Sequence, residues 1–137
     1  MIKFKHESDQ KCFLYISPKL GEVMIDMYQW FNKCGYDFVV TSVIRKANDG
    51  SASSTHQTGR AFDVRLKHIA NSWEGQEFIQ DTISYFNHKY ANVAAFSRSK
   101  REPTLIIAHG QGDNFHFHVQ LNMKYEHIYA QDFFKEG

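Results

Sequence analysis

Four side chains in this sequence have the types and spacing of a metal site. His56 and Asp63 lie seven positions apart, and His116 and His118 lie two positions apart much further along the chain. Catalytic zinc sites take three protein ligands from His, Asp, Glu or Cys and keep the fourth position open. His56, Asp63 and one downstream histidine supply that number, so we predict one zinc site.

Two predicted strands position most of these side chains. Residues 61–66 are rich in strand formers, and alternation places Asp63 on one face with the large apolar side chains on the other. Residues 115–121 predict a second strand, on which His116 and His118 share a face because they are two positions apart. Phe117 and the neighbouring apolar residues then face the core.

Periodicity predicts the elements that support these strands. Apolar residues recur at helical spacing over 18–34, after a Ser-Pro start, and a second helix is expected from Asn71 or Ser72 to about residue 90. Before the site we expect an irregular lead-in or short strand over 2–16, a buried strand over 38–44 and a polar loop over 46–54 that delivers His56. After the second helix we expect a short strand or helix exit at 93–96, an exposed tip at 97–103, and strands at 105–108 and 115–121 joined by a turn at 109–114. The tail after Lys124 is expected to form a short helix whose Ile128, Phe133 and Phe134 pack inward.

The stretch Ser54–Asp63 makes the sequence recognisable. It fits the pattern Ser-x-His-x-x-Gly-x-Ala-x-Asp at every fixed position, and a His-Phe-His follows downstream. These segments resemble the zinc peptidases that cut bonds of D-amino acids in peptidoglycan stem peptides, a family of D-alanyl-D-alanine carboxypeptidases, dipeptidases and phage L-alanyl-D-glutamate endolysins. The resemblance covers residues 41–66 and 105–121. It implies the fold shared with hedgehog signalling domains, an α+β fold whose small antiparallel sheet has helices packed on one face.

The resemblance implies two alternative assignments for the downstream residues. In carboxypeptidase-type relatives the second histidine binds zinc and the first lies beside the substrate, which makes His118 the ligand and His116 a catalytic or oxyanion-stabilising group. In endolysin-type relatives a carboxylate three residues before the ligand is the general base, and Asp113 with His116 fits that spacing. We favour His118 because it lies in mid-strand, where a ligand is held rigidly. The Glu-x-x-His form of the dipeptidases is absent, so the base is either Asp113 or His116.

Three more residues are expected to contact the substrate. Arg45 matches the arginine that relatives use to hold a substrate carboxylate, and its planar guanidinium suits that role. Ser54 belongs to the motif and is expected to hydrogen-bond the substrate or to steady the loop before His56. His109 follows a predicted strand and is expected near the substrate or behind the metal ligands.

Together with the zinc site, the resemblance implies a zinc-dependent peptidase that hydrolyses a stem-peptide bond of a D-amino acid in peptidoglycan. The competing hypothesis is a non-catalytic metal-binding module of the same fold, such as a structural or wall-binding virion component. The missing Glu-x-x-His keeps that alternative open.

Composition limits the other possibilities. A chain of 137 residues with 42% hydrophobic and 23% charged residues predicts one globular domain, which we expect to be monomeric. Net charge is +1 and the basic residues are scattered, so nucleic acid is not expected as a partner. Without an apolar stretch for a signal or a membrane span, we expect cytoplasmic synthesis, with delivery to the wall by a phage lysis system or virion. Cys12 and Cys34 are either buried thiols or a bridge.

Overall fold

The computed structural model describes residues 1–47 and 54–135. Within these ranges there are three α-helices and seven strands. The helices are α1 (Pro18–Lys33), α2 (Ser54–Gln57) and α3 (Trp73–Lys89). The strands are β1 (Lys3–Phe4), β2 (Val39–Ser42), β3 (Ala61–Arg65), β4 (Phe96–Ser97), β5 (Glu102–Pro103), β6 (Ile106–His109) and β7 (His116–Gln120). Short 3₁₀ helices occupy Glu7–Leu14, Gly112–Asn114, Met123–Tyr125 and Ala130–Lys135.

Five strands form one sheet in the order β1-β2-β3-β7-β6. The pairs β2–β3, β3–β7 and β7–β6 are antiparallel, as the sequence predicted. The prediction of a wholly antiparallel sheet was wrong at the edge, where β1 pairs in parallel with β2. Parallel neighbours need a long crossover, and α1 lies between these two strands in the chain and provides it. The fold is therefore α+β with a mixed sheet.

The core lies between one face of this sheet and the two long helices. Phe31 of α1 packs edge-on against Phe117 of β7 and Phe78 of α3, with ring centroids 6.3 and 5.0 Å away. These aromatic contacts join both helices and the sheet in a single apolar layer. The opposite face of β3 and β7 carries polar side chains, as alternation requires.

Both long helices begin where the sequence predicted. α1 starts at Pro18, where the missing N–H of proline costs nothing, and α3 follows Ser72, whose hydroxyl accepts a hydrogen bond of 3.0 Å from Gly75 N. α1 ends at Lys33, one residue earlier than predicted. The two cysteines form no bridge: Cys12 is a buried free thiol, as one of the two expectations had it, but Cys34 is exposed, so the expectation of burial was wrong for Cys34.

The exposed tip and the C-terminal tail can also be compared with their predictions. The exposed tip predicted at 97–103 is present over 98–103, where β5 pairs with β4, but Ser97 at its start is buried. In the tail, Phe133 and Phe134 are partly buried against the core as expected, but the prediction for Ile128 was wrong, since 84% of its surface is exposed. Ile128 lies between two 3₁₀ helices, and Ala130 takes the buried position instead.

None of the helices in the described part of the chain combines the length and the apolar character that crossing a membrane requires.

Candidate metal centre

Three side chains from separate elements converge on the polar face of the sheet. His56 comes from α2, Asp63 from β3 and His118 from β7, and one possible ligand atom of each lies within 4.8 Å of the others. Oδ1 of Asp63 is 3.2 Å from His56 Nε2 and 3.0 Å from His118 Nδ1. Asp63 and His118 are directly opposite each other in the antiparallel ladder, so the register of β3 and β7 fixes this pair.

The turn after α2 explains the glycine of the motif. Gly59 has a φ of +68°, and a Cβ built there would lie 2.6 Å from the carbonyl oxygen of Tyr15. Only glycine fits both the backbone conformation and this close approach. His56 lies on α2, so the prediction that a loop carries it was wrong at this point, and residues 48–53 of that predicted loop lie outside the described residues.

The ring of His56 is oriented by a backbone carbonyl. Its Nδ1 lies 2.7 Å from Val43 O, and because a carbonyl only accepts, Nδ1 carries the proton. This carbonyl is available because β2 shifts register between Val40 and Ser42 and ends there. The lone pair of a neutral His56 is then on Nε2, which faces Asp63. Metal-binding histidines generally have such a partner on their other ring nitrogen.

The side chain of Gln120 orients the ring of His118, and the sequence analysis did not predict this contact. His118 Nε2 lies 3.0 Å from Gln120 Oε1, while the amide nitrogen of Gln120 lies 3.5 Å from Thr104 O. Since Thr104 O accepts, the amide oxygen is directed toward His118 and accepts its Nε2 proton. Nδ1 of neutral His118 thus has its lone pair toward Asp63. The signal was available, because residues two apart on a strand share a face.

The carboxylate of Asp63 accepts a hydrogen bond from Arg45. Its Nη2 donates to Asp63 Oδ2 at 3.2 Å, and its Nε donates to Ser42 Oγ at 2.9 Å. Arg45 was predicted to hold a substrate carboxylate, and here it also has a partner within the protein. Burial raises the pKa of Asp63, but when both imidazoles are protonated the hydrogen bonds and positive charge of His118 and His56 lower it by more, so the pKa lies well below its usual range.

This geometry calls for a cation. His56 Nδ1 and His118 Nε2 donate to partners away from the centre. His56 Nε2, His118 Nδ1 and Asp63 Oδ1 therefore face one another as three acceptors, which repel unless positive charge lies between them. Either protons on the imidazoles or a metal ion can supply it. The carboxylate and both imidazoles each have a second partner that fixes their orientation, as metal ligands do. We identify these three residues as a candidate metal centre.

The other predicted residues lie around this centre at different distances. His116 lies on the same polar face, where its backbone is opposite that of Arg65 in the β3–β7 ladder. Among the described residues it does not belong to the group of possible metal ligands. Its Nδ1 lies 2.7 Å from Asn114 O, so Nδ1 donates and Nε2 remains an acceptor. The Asp113 side chain is 97% exposed and lies 3.9 Å from Lys67 Nζ.

The predicted substrate contacts also differ. His109 is exposed at the end of β6, and its ring centroid is 5.5 Å from that of His116. Ser54 opens α2 with an exposed side chain and is not among the described residues that line the cleft around the centre.

The metal centre opens into a cleft of about 1190 Å³. The polar sheet face is its floor, the segment from Lys5 to Tyr15 lies along one side, and Phe133 and Phe134 add an apolar wall. A cleft of this size accommodates several residues of a peptide. No protein family, curated protein or solved structure matches this chain.

Proposed function

We propose that this protein is a zinc-dependent peptidase of peptidoglycan stem peptides, with the fold of the hedgehog and D-alanyl-D-alanine peptidase group. The observation that carries the proposal is the convergence of His56 Nε2, Asp63 Oδ1 and His118 Nδ1 at the base of an open cleft. The motif that resembles this family contributes two of the three ligands, and the downstream His-Phe-His contributes the third.

The ligand set favours zinc. Two imidazole nitrogens and one carboxylate oxygen suit this borderline ion, whereas Mg²⁺ and Ca²⁺ prefer sites made of oxygen alone. Zinc would make water a stronger acid and polarise the carbonyl of the peptide bond to be cut.

His116 is the proton carrier that the geometry favours. Because its Nδ1 donates to Asn114 O, its Nε2 is free to accept the proton of the attacking water and to pass it to the leaving amine. It lies two residues along β7 from His118, about 7 Å in an extended strand. Asp113 is the alternative base, held on a short 3₁₀ helix at the rim and almost fully exposed.

One observation supports the second candidate, a non-catalytic metal-binding module of a virion or wall-binding protein. The position three residues before His118 is Phe115, so the carboxylate of the Glu-x-x-His form is missing. If neither His116 nor Asp113 acts as a base, the metal would have a purely structural role.

Zinc analysis and hydrolysis assays on the same preparation test the proposal. We expect about one zinc per chain by elemental analysis, and release of new amino groups from purified muropeptides that a chelator stops and added zinc restores. Asp63→Asn should lose both metal and activity. Asp81→Asn, on the exposed side of α3, is the matched control and should keep both.

The outcomes separate the candidates. Bound zinc without turnover of any muropeptide would favour the non-catalytic module. A protein that takes up no zinc on titration would exclude both.

A further inference from the structure

We propose that Arg65 binds a carboxylate of the substrate, and that the cleft selects anionic peptides bearing such a group on the His116 side of the metal centre. This inference rests on the proposed function, since it names the substrate class of the same site. It assigns a role to a residue for which the sequence motif gives none.

Charge is the first observation. Among the residues that the structure describes, six lysines and arginines line the cleft, against three acids. The whole chain has 16 basic and 15 acidic residues, so folding concentrates positive charge at this surface. The six basic residues are Lys5, Lys11, Arg45, Lys46, Arg65 and Lys67.

The three acids offset little of this charge. Asp63 belongs to the metal centre, and Asp113 lies 3.9 Å from Lys67 Nζ. Burial raises the pKa of Asp9, although nearby His6 lowers it, so its carboxyl is less readily ionised than a free one. Positive charge in a concave site attracts anionic ligands.

Strand register is the second observation, because it arranges the cleft floor in two rows. Asp63, His118 and Ile107 lie opposite one another across β3, β7 and β6. Arg65, His116 and His109 form the next row on the same face. The rows are two residues apart, about 7 Å. A peptide whose cut bond lies at the first row therefore has its neighbouring groups over the second, which holds a guanidinium and two imidazoles.

The third observation is that Arg45 has hydrogen-bond partners within the protein, whereas Arg65 has none among the described residues. The Arg45 guanidinium already donates to Asp63 and Ser42. Arg65 is half-buried as a residue, and its guanidinium makes no hydrogen bond or ion pair with any residue in the described ranges. A partly desolvated guanidinium with its donors free binds a carboxylate in a bidentate manner.

The two arginines also lie on opposite sides of the centre. β2 and β3 are antiparallel, so the chain beyond Ser42 runs toward the start of β3, and Arg45 follows there. Arg65 is the last residue of β3. Arg65 therefore distinguishes one end of a bound peptide from the other.

Paired substrates test the inference. Zinc-loaded wild type and Arg65→Gln are assayed on a stem tripeptide with free carboxylates and on the same peptide with its carboxylates amidated. Loss of a hydrogen-bonded charge pair should raise KM for the free peptide by about 10- to 100-fold. Amidation should raise the wild-type KM by a similar factor and should raise the KM of Arg65→Gln much less, since only the remaining basic residues of the cleft then respond to the lost charge. Arg65→Lys should recover part of the loss.

Two controls accompany the assay. Arg98→Gln removes an arginine from the exposed β4–β5 tip and should behave as wild type. Zinc content of Arg65→Gln should equal that of wild type. Zinc loss in Arg65→Gln, or an equal loss on both peptides, would show a structural role and overturn the inference.

Calorimetric binding separates this inference from the proposed function. If wild type cleaves neither peptide but binds the free peptide more tightly than the amidated one, and Arg65→Gln abolishes the difference, the anionic site stands while hydrolysis fails. If wild type binds or cleaves both peptides equally, the inference is overturned even when hydrolysis is observed. A short single-stranded oligonucleotide that displaces the peptide with higher affinity would overturn the assignment to peptides.

Discussion

The two faces of β3 and β7 perform different tasks on the same backbone. One face consists of fully buried apolar side chains, Phe62, Val64, Phe117 and Val119. The other carries Asp63, Arg65, His116 and His118. Packing on the first face is non-directional and depends on volume, whereas the second depends on where single nitrogen and oxygen atoms point. Substitutions on the two faces should therefore fail in different assays.

The polar face itself is divided into two environments. His56 and Asp63 are as buried as core residues, with 2% and 4% of their surfaces exposed. Such groups are stable only when paired, and here every polar atom facing away from the centre has a partner. Arg65 and His116 lie nearer the solvent, where an unpaired charge costs less. The buried pair of His56 and Asp63 is thus suited to hold a metal ion, and the half-buried Arg65 and His116 are suited to contact a substrate that exchanges with solvent.

The first prediction addresses the apolar face and has the largest expected effect. Phe117→Ala should lower the free energy of unfolding by about 3–5 kcal/mol, because it removes a fully buried ring that packs against Phe31. Denaturant unfolding measures it, with and without zinc. Phe96→Ala is the matched control, since its ring is 64% exposed and should matter little. Equal stabilities for the two variants would contradict this account of the core.

The second prediction compares the two histidines of β7. His118→Ala should lose zinc, because it removes one of three ligands. His116→Ala should keep zinc but lose rate by about 10²- to 10⁴-fold, as for a positioned proton carrier. Zinc analysis and muropeptide hydrolysis measure both effects.

The opposite pattern would reverse the assignment. Zinc lost from His116→Ala and kept by His118→Ala would favour the endolysin-type arrangement. Full metal and full rate in His118→Ala would show that the centre is placed wrongly.

The elements could be predicted because their signals are local. Helix periodicity together with a Ser-Pro start located α1, and alternation separated the core face of β7 from its histidine face. The convergence of His56, Asp63 and His118 could be predicted as well, since motif and strand period both restrict their positions. The parallel edge strand could not, because nothing within residues 3–4 indicates which strand they will join.

The contacts behind the ligands were harder to predict. Val43 orients His56 through a backbone carbonyl, which any residue type would provide, so no side chain signals it. Arg45 was identified, but its bond to Asp63 depends on how β2 leaves the sheet. The row formed by Arg65, His116 and His109 depends on the register of three strands, which spacing along the chain does not specify.

The third prediction concerns the residue behind His118. Gln120→Ala should weaken zinc binding by about 10- to 100-fold, the usual effect of removing the partner that orients a ligand. Gln120→Glu keeps an acceptor for His118 Nε2 and should recover most of the affinity. Competition with a metal-sensitive dye measures the constants. Gln80→Ala, on the exposed side of α3, is the control. Unchanged affinity in Gln120→Ala would mean that Gln120 does not orient the ring.

The last prediction has the smallest expected effect and tests the rim of the cleft. Asp113→Asn keeps the size of the side chain and removes its charge, and we expect less than about a fivefold change in hydrolysis rate, since an exposed ion pair contributes at most about 1 kcal/mol. The carboxylate is 97% exposed, its partner Lys67 is exposed too, and the two are 3.9 Å apart, so little depends on this pair. A general base must be held within reach of the water it deprotonates, and His116, fixed by Asn114 O on a strand of the cleft floor, meets that requirement better than a residue on the rim. Steady-state rates on muropeptides, with zinc content checked in parallel, decide between them. If Asp113→Asn keeps its zinc but loses turnover, Asp113 is the base, and His116 belongs with Arg65 in binding the substrate.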